Sequence, residues 1–213
     1  ALQEIAYACA STAVTMSVTN LSSDPILKFG SEEQKRKFLV PLARGEMLGA
    51  FAVTEPEAGS DPGSMTTRAE DRGDHYLVNG SKIFITNGSR ADVIVLIVRT
   101  GSEKSNRGLS ALLLTKGTPG FRIGRRDEKM GLRASDTVEL LFDDCRIPTE
   151  NLLAREGFGF RAAMAALDSG RIGIASQSLG IARACLQESV SYAKTRRQFG
   201  KAIGSFQAIQ WMI

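Results

Sequence analysis

Between Met47 and about residue 150 the chain breaks into short runs rich in branched and aromatic residues: LGAFAVT, HYLVNG, SKIFITNG, DVIVLIVR, LSALLLT and TVELLFDD. Gly, Asn, Asp and Pro separate them. Runs of this kind between turn formers predict strands, because branched and aromatic side chains pack well on a pleated surface. Val78-Asn79-Gly80-Ser81 lies between two of them and predicts a hairpin, since Asn-Gly readily takes the positive φ angles of a type I′ turn. The middle of the chain therefore reads as an antiparallel β-domain.

Its flanks read as helix. Residues 1 to about 18 are rich in Ala with apolar spacing suited to a buried helix. Ser31 followed by Gln34 is a capping-box pattern that opens a short helix, which Pro41 should end near Leu39 or Val40. After Pro148 helical spacing returns in FRAAMAALDSGR and in a run from about Arg171 to Thr195. Gly173 and Gly180 within that run either permit close helix contact or merely weaken the helix. The expected class is α+β, helical, then β, then helical.

With 43% hydrophobic and 23% charged residues, the chain has the composition of an ordinary globular protein. Its net charge of +4 suits anionic ligands, but acidic and basic residues are interspersed, and no basic stripe of the kind that binds nucleic acid is visible. Cys9, Cys145 and Cys185 are scattered, which indicates neither a disulfide framework nor a metal site and fits a reducing compartment. No apolar run reaches the roughly 18 residues of a transmembrane segment. The single histidine, His75, sits beside the predicted hairpin, where a Ser-His-Asp machine is not expected. Gly157-Phe158-Gly159 lacks the further glycine of a dinucleotide fingerprint. Ala1 lies inside a helix-like run and the chain stops at apolar Trp211-Met212-Ile213, so it reads as cut at both ends.

Two stretches have residue types suited to a flat, anionic cofactor. Phe51 to Asp61, FAVTEPEAGSD, runs from a strand into a loop where Gly59 would let backbone N–H groups approach an anion and Thr54 and Ser60 would offer hydroxyl donors. Lys82 to Gly88, KIFITNG, places aromatic Phe84 and hydroxylic Thr86 on one face of an alternating strand. Taken singly, the first also reads as a strand exit and the second as ordinary core.

Together, about 30 residues apart, these stretches make the chain resemble the acyl-CoA dehydrogenase family, whose two signature stretches they match. LRASDT from Leu132, LDSGRIGIASQSLGIA from Leu167 and RRQFGKAIGSFQAIQ from Arg196 extend the resemblance over nearly all of the chain. CASTAVTMSV and PILKFGSEEQK point to the short-chain, butyryl-like branch. The resemblance implies the end of an N-terminal helical domain over 1–46, an antiparallel barrel-like middle domain over 47–152, and over 153–213 the first helices of a C-terminal four-helix bundle.

It also implies FAD. Phe51, Val53, Thr54, Gly59 and Ser60 would line the flavin and its phosphates, and Phe84, Ile85 and Thr86 would form the wall behind the ring. Phe84 stands where many relatives have Trp, which keeps an aromatic surface but loses an indole N–H. Ser60, Ser135, Asp168 and Arg171 match positions that contact the CoA portion of the substrate; Asp168 and Arg171, three apart on one helix, read otherwise as a surface salt bridge. Arg196, Gln198, Phe199 and Gln207 match positions that reach the FAD of a neighbouring subunit, which implies a homo-oligomer, a tetramer by resemblance. Without the resemblance, Lys194 to Lys201 reads as a solvated basic helix end.

The implied activity is α,β-dehydrogenation of a short-chain acyl-CoA to trans-2-enoyl-CoA, with electrons passed to electron-transfer flavoprotein. That chemistry needs a carboxylate base. In most of the family the base is a Glu expected here downstream of Ile213; a minority place it at the position of Gly170, so no catalytic residue is assigned within the chain. An acyl-CoA oxidase-like flavoenzyme and a non-catalytic binding or assembly protein are the rival readings. The compartment would be the cytoplasm of a bacterium or the mitochondrial matrix of a eukaryote.

Overall fold

The computed structural model describes residues 1–101 and 105–213. Helix α1 (Leu2–Ala8) and helix α2 (Ala10–Phe29) are separated by a single extended residue, Cys9, at φ −155°. The expected helix over residues 1 to 18 is thus two helices, and the second runs on through Pro25 to Phe29. Ser31 caps α3 (Glu32–Gln34) with both halves of the predicted capping box present. Pro41 does not end this helical segment. A π-helical stretch, Lys35–Leu39, widens the ladder just ahead of the proline, and α4 (Val40–Arg44) continues to Gly45 at φ +74°. A proline lacks the N–H to donate and crowds the preceding turn, so a widened turn is where a helix absorbs one.

Seven strands form one curled sheet: β1 (Gly49–Ala52), β2 (Arg68–Asp71), β3 (His75–Thr86), β4 (Val93–Arg99), β5 (Leu109–Thr115), β6 (Phe121–Arg126) and β7 (Thr137–Pro148). The order is β1-β4-β2-β3-β7-β6, with β5 on β4. Most pairs are antiparallel as expected, but β1 runs parallel to β4 and β2 joins β4 through one parallel pair.

The predicted hairpin at Asn79-Gly80 is absent, and β3 runs straight through it. The turn lies earlier, at Arg72 to Asp74, where Arg72 N–H donates to the His75 carbonyl and Gly73 sits at φ +92°. Gly80, φ +139°, faces a bulge in β7, where three steps from Cys145 to Phe142 match two from Val78 to Gly80, and it packs so close to Thr67 that a Cβ would lie 2.8 Å from its Cα. Asn79 exchanges two hydrogen bonds with Asp144 across that bulge. The Asn-Gly pair therefore sits opposite a bulge in β7, where Asp144 takes φ +48°, and long pairing with β7 overrides the local turn preference.

Every residue of β4 is buried, as are all of β5 but its last. Ile94, Leu96 and Val98 face the inside of the curl with Val78, Leu112, Val138 and Leu140; Val93, Val95 and Ile97 face outward to Ile26, Phe38, Leu113, Ala162 and Ala166. Each such large side chain stabilises the fold by about 1.5–3 kcal/mol on burial. That is why these strands read as unbroken apolar runs, and why the helices dock there.

Helix α5 (Gly159–Thr195) is a single helix of 37 residues, with no break between the two expected runs. Its glycines make contact. A Cβ on Gly180 would lie 2.3 Å from the Gln3 carbonyl oxygen and 2.8 Å from Ala6 Cβ, and one on Gly173 would lie 2.7 Å from Ser17 Oγ. Beyond α5, β8 (Arg197–Gln198) and β9 (Lys201–Ala202) form a small hairpin, followed by α6 (Gln207–Met212).

Candidate functional site

The two signature stretches meet in space. Where β1 ends, three consecutive residues are fastened to the middle of β3. The Val53 carbonyl accepts from Lys82 Nζ at 2.9 Å, the Thr54 carbonyl accepts from Ile83 N–H at 2.9 Å, and Glu55 Oε1 accepts from Lys82 Nζ at 2.8 Å. Glu55 and Ala58 then exchange backbone hydrogen bonds that close the loop. Past that closure Gly59 and Ser60 stand exposed on the rim.

The Glu55–Lys82 pair is enclosed, its side chains 3% and 0% exposed. Lys82 also meets Met65 Sδ, and Glu55 accepts from the backbone N–H groups of Thr66 and Thr67 and from the Thr66 hydroxyl. Burial pulls the Lys82 ammonium down to a pKa of about 8 against the attraction of Glu55. At Glu55 burial works against the carboxylate, but the Lys82 charge and these hydrogen bonds outweigh it and hold its pKa below the usual value. A charge pair this deep is sustained only because nearly every donor and acceptor is matched.

A second bulge shapes the facing wall. Lys82 pairs with Leu140 and Ile85 with Val138, so three steps along β3 match two along β7. The extra residue shows at Phe84, which adopts φ +59° and is 59% exposed. A bulky aromatic in the left-handed region is strained by about 1–2 kcal/mol, and such strain concentrates at functional sites. Strict alternation would have put Lys82 on the face of Phe84 and Thr86; the bulge turns Lys82 inward and leaves the ring outward.

Among the candidate cofactor residues, Phe51 and Ile85 belong to the two cores, so their side chains support the wall from behind. Val53, Thr54 and Thr86 are half-buried, and the hydroxyls of Thr54, Ser60 and Thr86 have no hydrogen-bond partner among the described residues. A Cβ on Gly59 would meet nothing in this chain. Open space at a glycine, free hydroxyls and an uncovered aromatic make a donor set and a flat surface that fit a flavin. Asp127, Glu139 and Arg125 line the recess beside Phe84; Arg125 pairs with Asp127, and its N–H donates to Glu139.

Ser135 is buried and its Oγ has no hydrogen-bond partner among the described residues. It lines an open cleft of about 590 Å³ between Thr15 of α2, Asn87 and the 126–136 segment, which carries both cationic (Arg126, Lys129, Arg133) and acidic (Asp127, Glu128, Asp136) side chains. An orphaned hydroxyl among charged side chains of both signs suits a polar ligand. Asp168 and Arg171 are exposed on α5 and do not line this cleft. Neither takes part in an ion pair among the described residues, so the surface salt bridge between them does not form.

Arg196 caps the far end of α5, and Phe199-Gly200 form the two-residue turn between β8 and β9 at φ +51° and +78°. Those angles are of the type I′ kind, with a phenylalanine where Asn or Gly is usual. Phe199 is 91% exposed and touches the edge of Phe206. At 1.5 Å per residue, the helix separates Arg196 from Arg171 by about 37 Å. The hairpin residues Arg196, Gln198, Phe199 and Gln207 therefore lie at the far end of α5 from Arg171.

Three features around the candidate site escaped the sequence reading: the Glu55–Lys82 pair, the strain at Phe84, and buried Asn87. Asn87, φ +65°, donates to the carbonyls of Thr15 and Gly49 and so ties the end of β3 to α2 and β1. Only the residue types were visible beforehand; the partners lie far away in the chain.

Comparison with known proteins agrees with this geometry. Residues 1–46, 50–145 and 157–213 match the patterns described as the N-terminal, middle and C-terminal domains of acyl-CoA dehydrogenase. The short-chain-specific acyl-CoA dehydrogenase of Clostridium acetobutylicum is 49% identical over 100% of this chain and 56% of its own length. The structure of butyryl-CoA dehydrogenase from Megasphaera elsdenii superposes with a TM-score of 0.96 at 49% identity, over 99% of this chain and 55% of that one. A chain in a structure described as electron transferring flavoprotein of Acidaminococcus fermentans superposes with a TM-score of 0.97 at 49% identity, over 99% of this chain and 56% of that one. The chain spans about half the length of the relatives it matches, and it belongs to the acyl-CoA dehydrogenase family.

Proposed function

We propose that the protein carrying this chain is an FAD-dependent enzyme that dehydrogenates a short-chain acyl-CoA between Cα and Cβ. The observation that carries the reading is Phe84, strained and outward beside the free hydroxyls of Thr54 and Thr86, on a wall fastened from behind. FAD, when bound, supplies the hydride acceptor. The chain's own part is to hold and orient. Phe84 offers a flat surface, Thr54 and Thr86 offer donors to the ring's polar edge, and Gly59 and Ser60 leave room for phosphate. Ser60, Ser135, Asp168 and Arg171 are assigned to the CoA portion of the substrate. The division into 1–46, 47–152 and 153–213 belongs to the same proposal.

Arg196, Gln198, Phe199 and Gln207 are assigned to the FAD of a neighbouring subunit in a homo-oligomer, a tetramer in this reading. Their place at the end of α5 opposite to Arg171, and the 91% exposure of Phe199 at a strained hairpin tip, support that. The electron acceptor is assigned to electron-transfer flavoprotein, a reading supported by the similarity to the Acidaminococcus fermentans chain.

The base is assigned outside this chain. Glu55 is locked to Lys82, Asp127 and Glu139 are engaged by Arg125, and position 170 is glycine, with no carboxylate to offer. Anaerobic addition of butyryl-CoA to the purified full-length protein tests the function. Bleaching of a bound yellow flavin supports it, and no spectral change contradicts it. Rapid reaction of the reduced protein with oxygen would favour an oxidase, and absence of flavin a binding or assembly role.

A further inference from the structure

Lys82 ends on the Val53 carbonyl and the Glu55 carboxylate, and its neighbour Ile83 holds the Thr54 carbonyl. Two residues further on is Phe84, the residue that the β3 bulge forces into the left-handed region. One enclosed side chain thus fixes two surfaces at once. It holds the loop that presents Thr54, and it holds the strand position from which the extra residue must be thrown outward. If Lys82 let go, β3 could relax by moving the bulge, and the ring of Phe84 would lose its place relative to Thr54.

From this geometry we propose that Glu55 and Lys82 form a positioning clamp: an ion pair, out of contact with the ligand, that sets the spacing between the Thr54 loop and the Phe84–Thr86 wall so that both engage one flat ligand. This rests on the proposed function, in which that ligand is FAD. The alternative role, general stability of the sheet, is weakened by the surroundings. The pair sits among apolar strands whose burial already holds the sheet, and a matched apolar pair commonly stabilises a fold as well as a buried ion pair does. The clamp also accounts for what that alternative leaves open. Glu55 spends its remaining acceptor capacity on Thr66 and Thr67, at the far end of the loop that carries Gly59 and Ser60. Both ends of the exposed rim are thereby tied to the same carboxylate.

The test uses the full-length protein, stripped of flavin and titrated with FAD. The double variant Glu55→Leu with Lys82→Met removes the charges together, and Glu55→Gln removes one charge while keeping the shape. The clamp predicts that each folded variant binds FAD roughly tenfold more weakly, the scale of one or two lost positioning hydrogen bonds. It also predicts an altered visible absorption band of the bound flavin, which a purely structural pair would leave alone. If the double variant does not fold, Glu55→Gln decides. Folded variants that match wild type in affinity and in flavin spectrum overturn the clamp, while wild-type protein that binds no FAD contradicts the proposed function itself and the clamp with it.

Discussion

Lys82 Nζ lies 2.8 Å from Glu55 Oε1 in an enclosed ion pair that joins the two signature stretches, although 27 residues separate them in the chain. Removing one partner leaves the other charged and buried. Lys82→Met alone should therefore lower stability by about 3–5 kcal/mol, whereas the double replacement with Glu55→Leu should recover the part due to the unpaired charge but not the part due to the Thr66 and Thr67 N–H groups that lose their acceptor. Urea denaturation of the single and double variants checks this. A single variant within 1 kcal/mol of wild type, on the order of an exposed pair, would show that the charges are not enclosed.

The same pair predicts an acid limb. Glu55 has its pKa held below the ordinary 4.5 despite burial, mainly by the Lys82 charge and hydrogen bonds. A carboxylate depressed in the folded state contributes stability that is present above the unfolded value and lost as pH falls through the folded one. Thermal midpoints should therefore fall below pH 4.5, and Glu55→Gln should flatten that part of the profile. An unchanged slope in the variant would remove Glu55 from the account.

Two glycines should behave oppositely. Gly180→Ala places a methyl against the Gln3 carbonyl and Ala6, which should destabilise the packing of α1 on α5 by about 1–3 kcal/mol. Gly59→Ala meets nothing in this chain, so stability should stay within about 0.5 kcal/mol while FAD binding weakens. Denaturation and FAD titration of both variants separate the two roles, and a Gly59 variant that binds FAD like wild type would remove that glycine from the site.

Phe84 offers a test of strain. In Phe84→Gly, relief of the left-handed backbone returns about 1–2 kcal/mol, which offsets the extra unfolded-state entropy of glycine, about 0.5–1 kcal/mol. The variant should be as stable as wild type or slightly more so, yet bind FAD more weakly. Phe84→Ala keeps the strain and loses the ring, so it should be inferior in both measurements. A marked loss of stability in the glycine variant would mean that the ring is a packing residue.

What the sequence made legible was whatever is decided within a few residues. The Ser31–Gln34 capping box closed as read, and the apolar runs of β4 and β5 became the strands buried on both faces. Asn79-Gly80 misled because β7 pairs along the whole of β3, and the pair only faces a bulge in β7. Pro41 misled because a π-helical turn takes up its missing donor. The alternation that put Phe84 on the face of Thr86 hid the bulge that sends Lys82 the other way. The partner of Lys82 was out of reach, since nothing local to either residue names the other. Free hydroxyls at Thr54 and Thr86 could likewise be identified as free only when their surroundings were known.

The central claim, that the Thr54 loop and the Phe84 wall form a flavin site for a thioester substrate, is tested most directly by visible spectroscopy of the full-length protein under anaerobic conditions. The account predicts a bound flavin whose visible absorption is lost on adding butyryl-CoA, with the loss abolished in protein freed of FAD and restored when FAD is returned. A colourless protein that takes up no FAD, or a flavin that butyryl-CoA leaves fully oxidised, would contradict it.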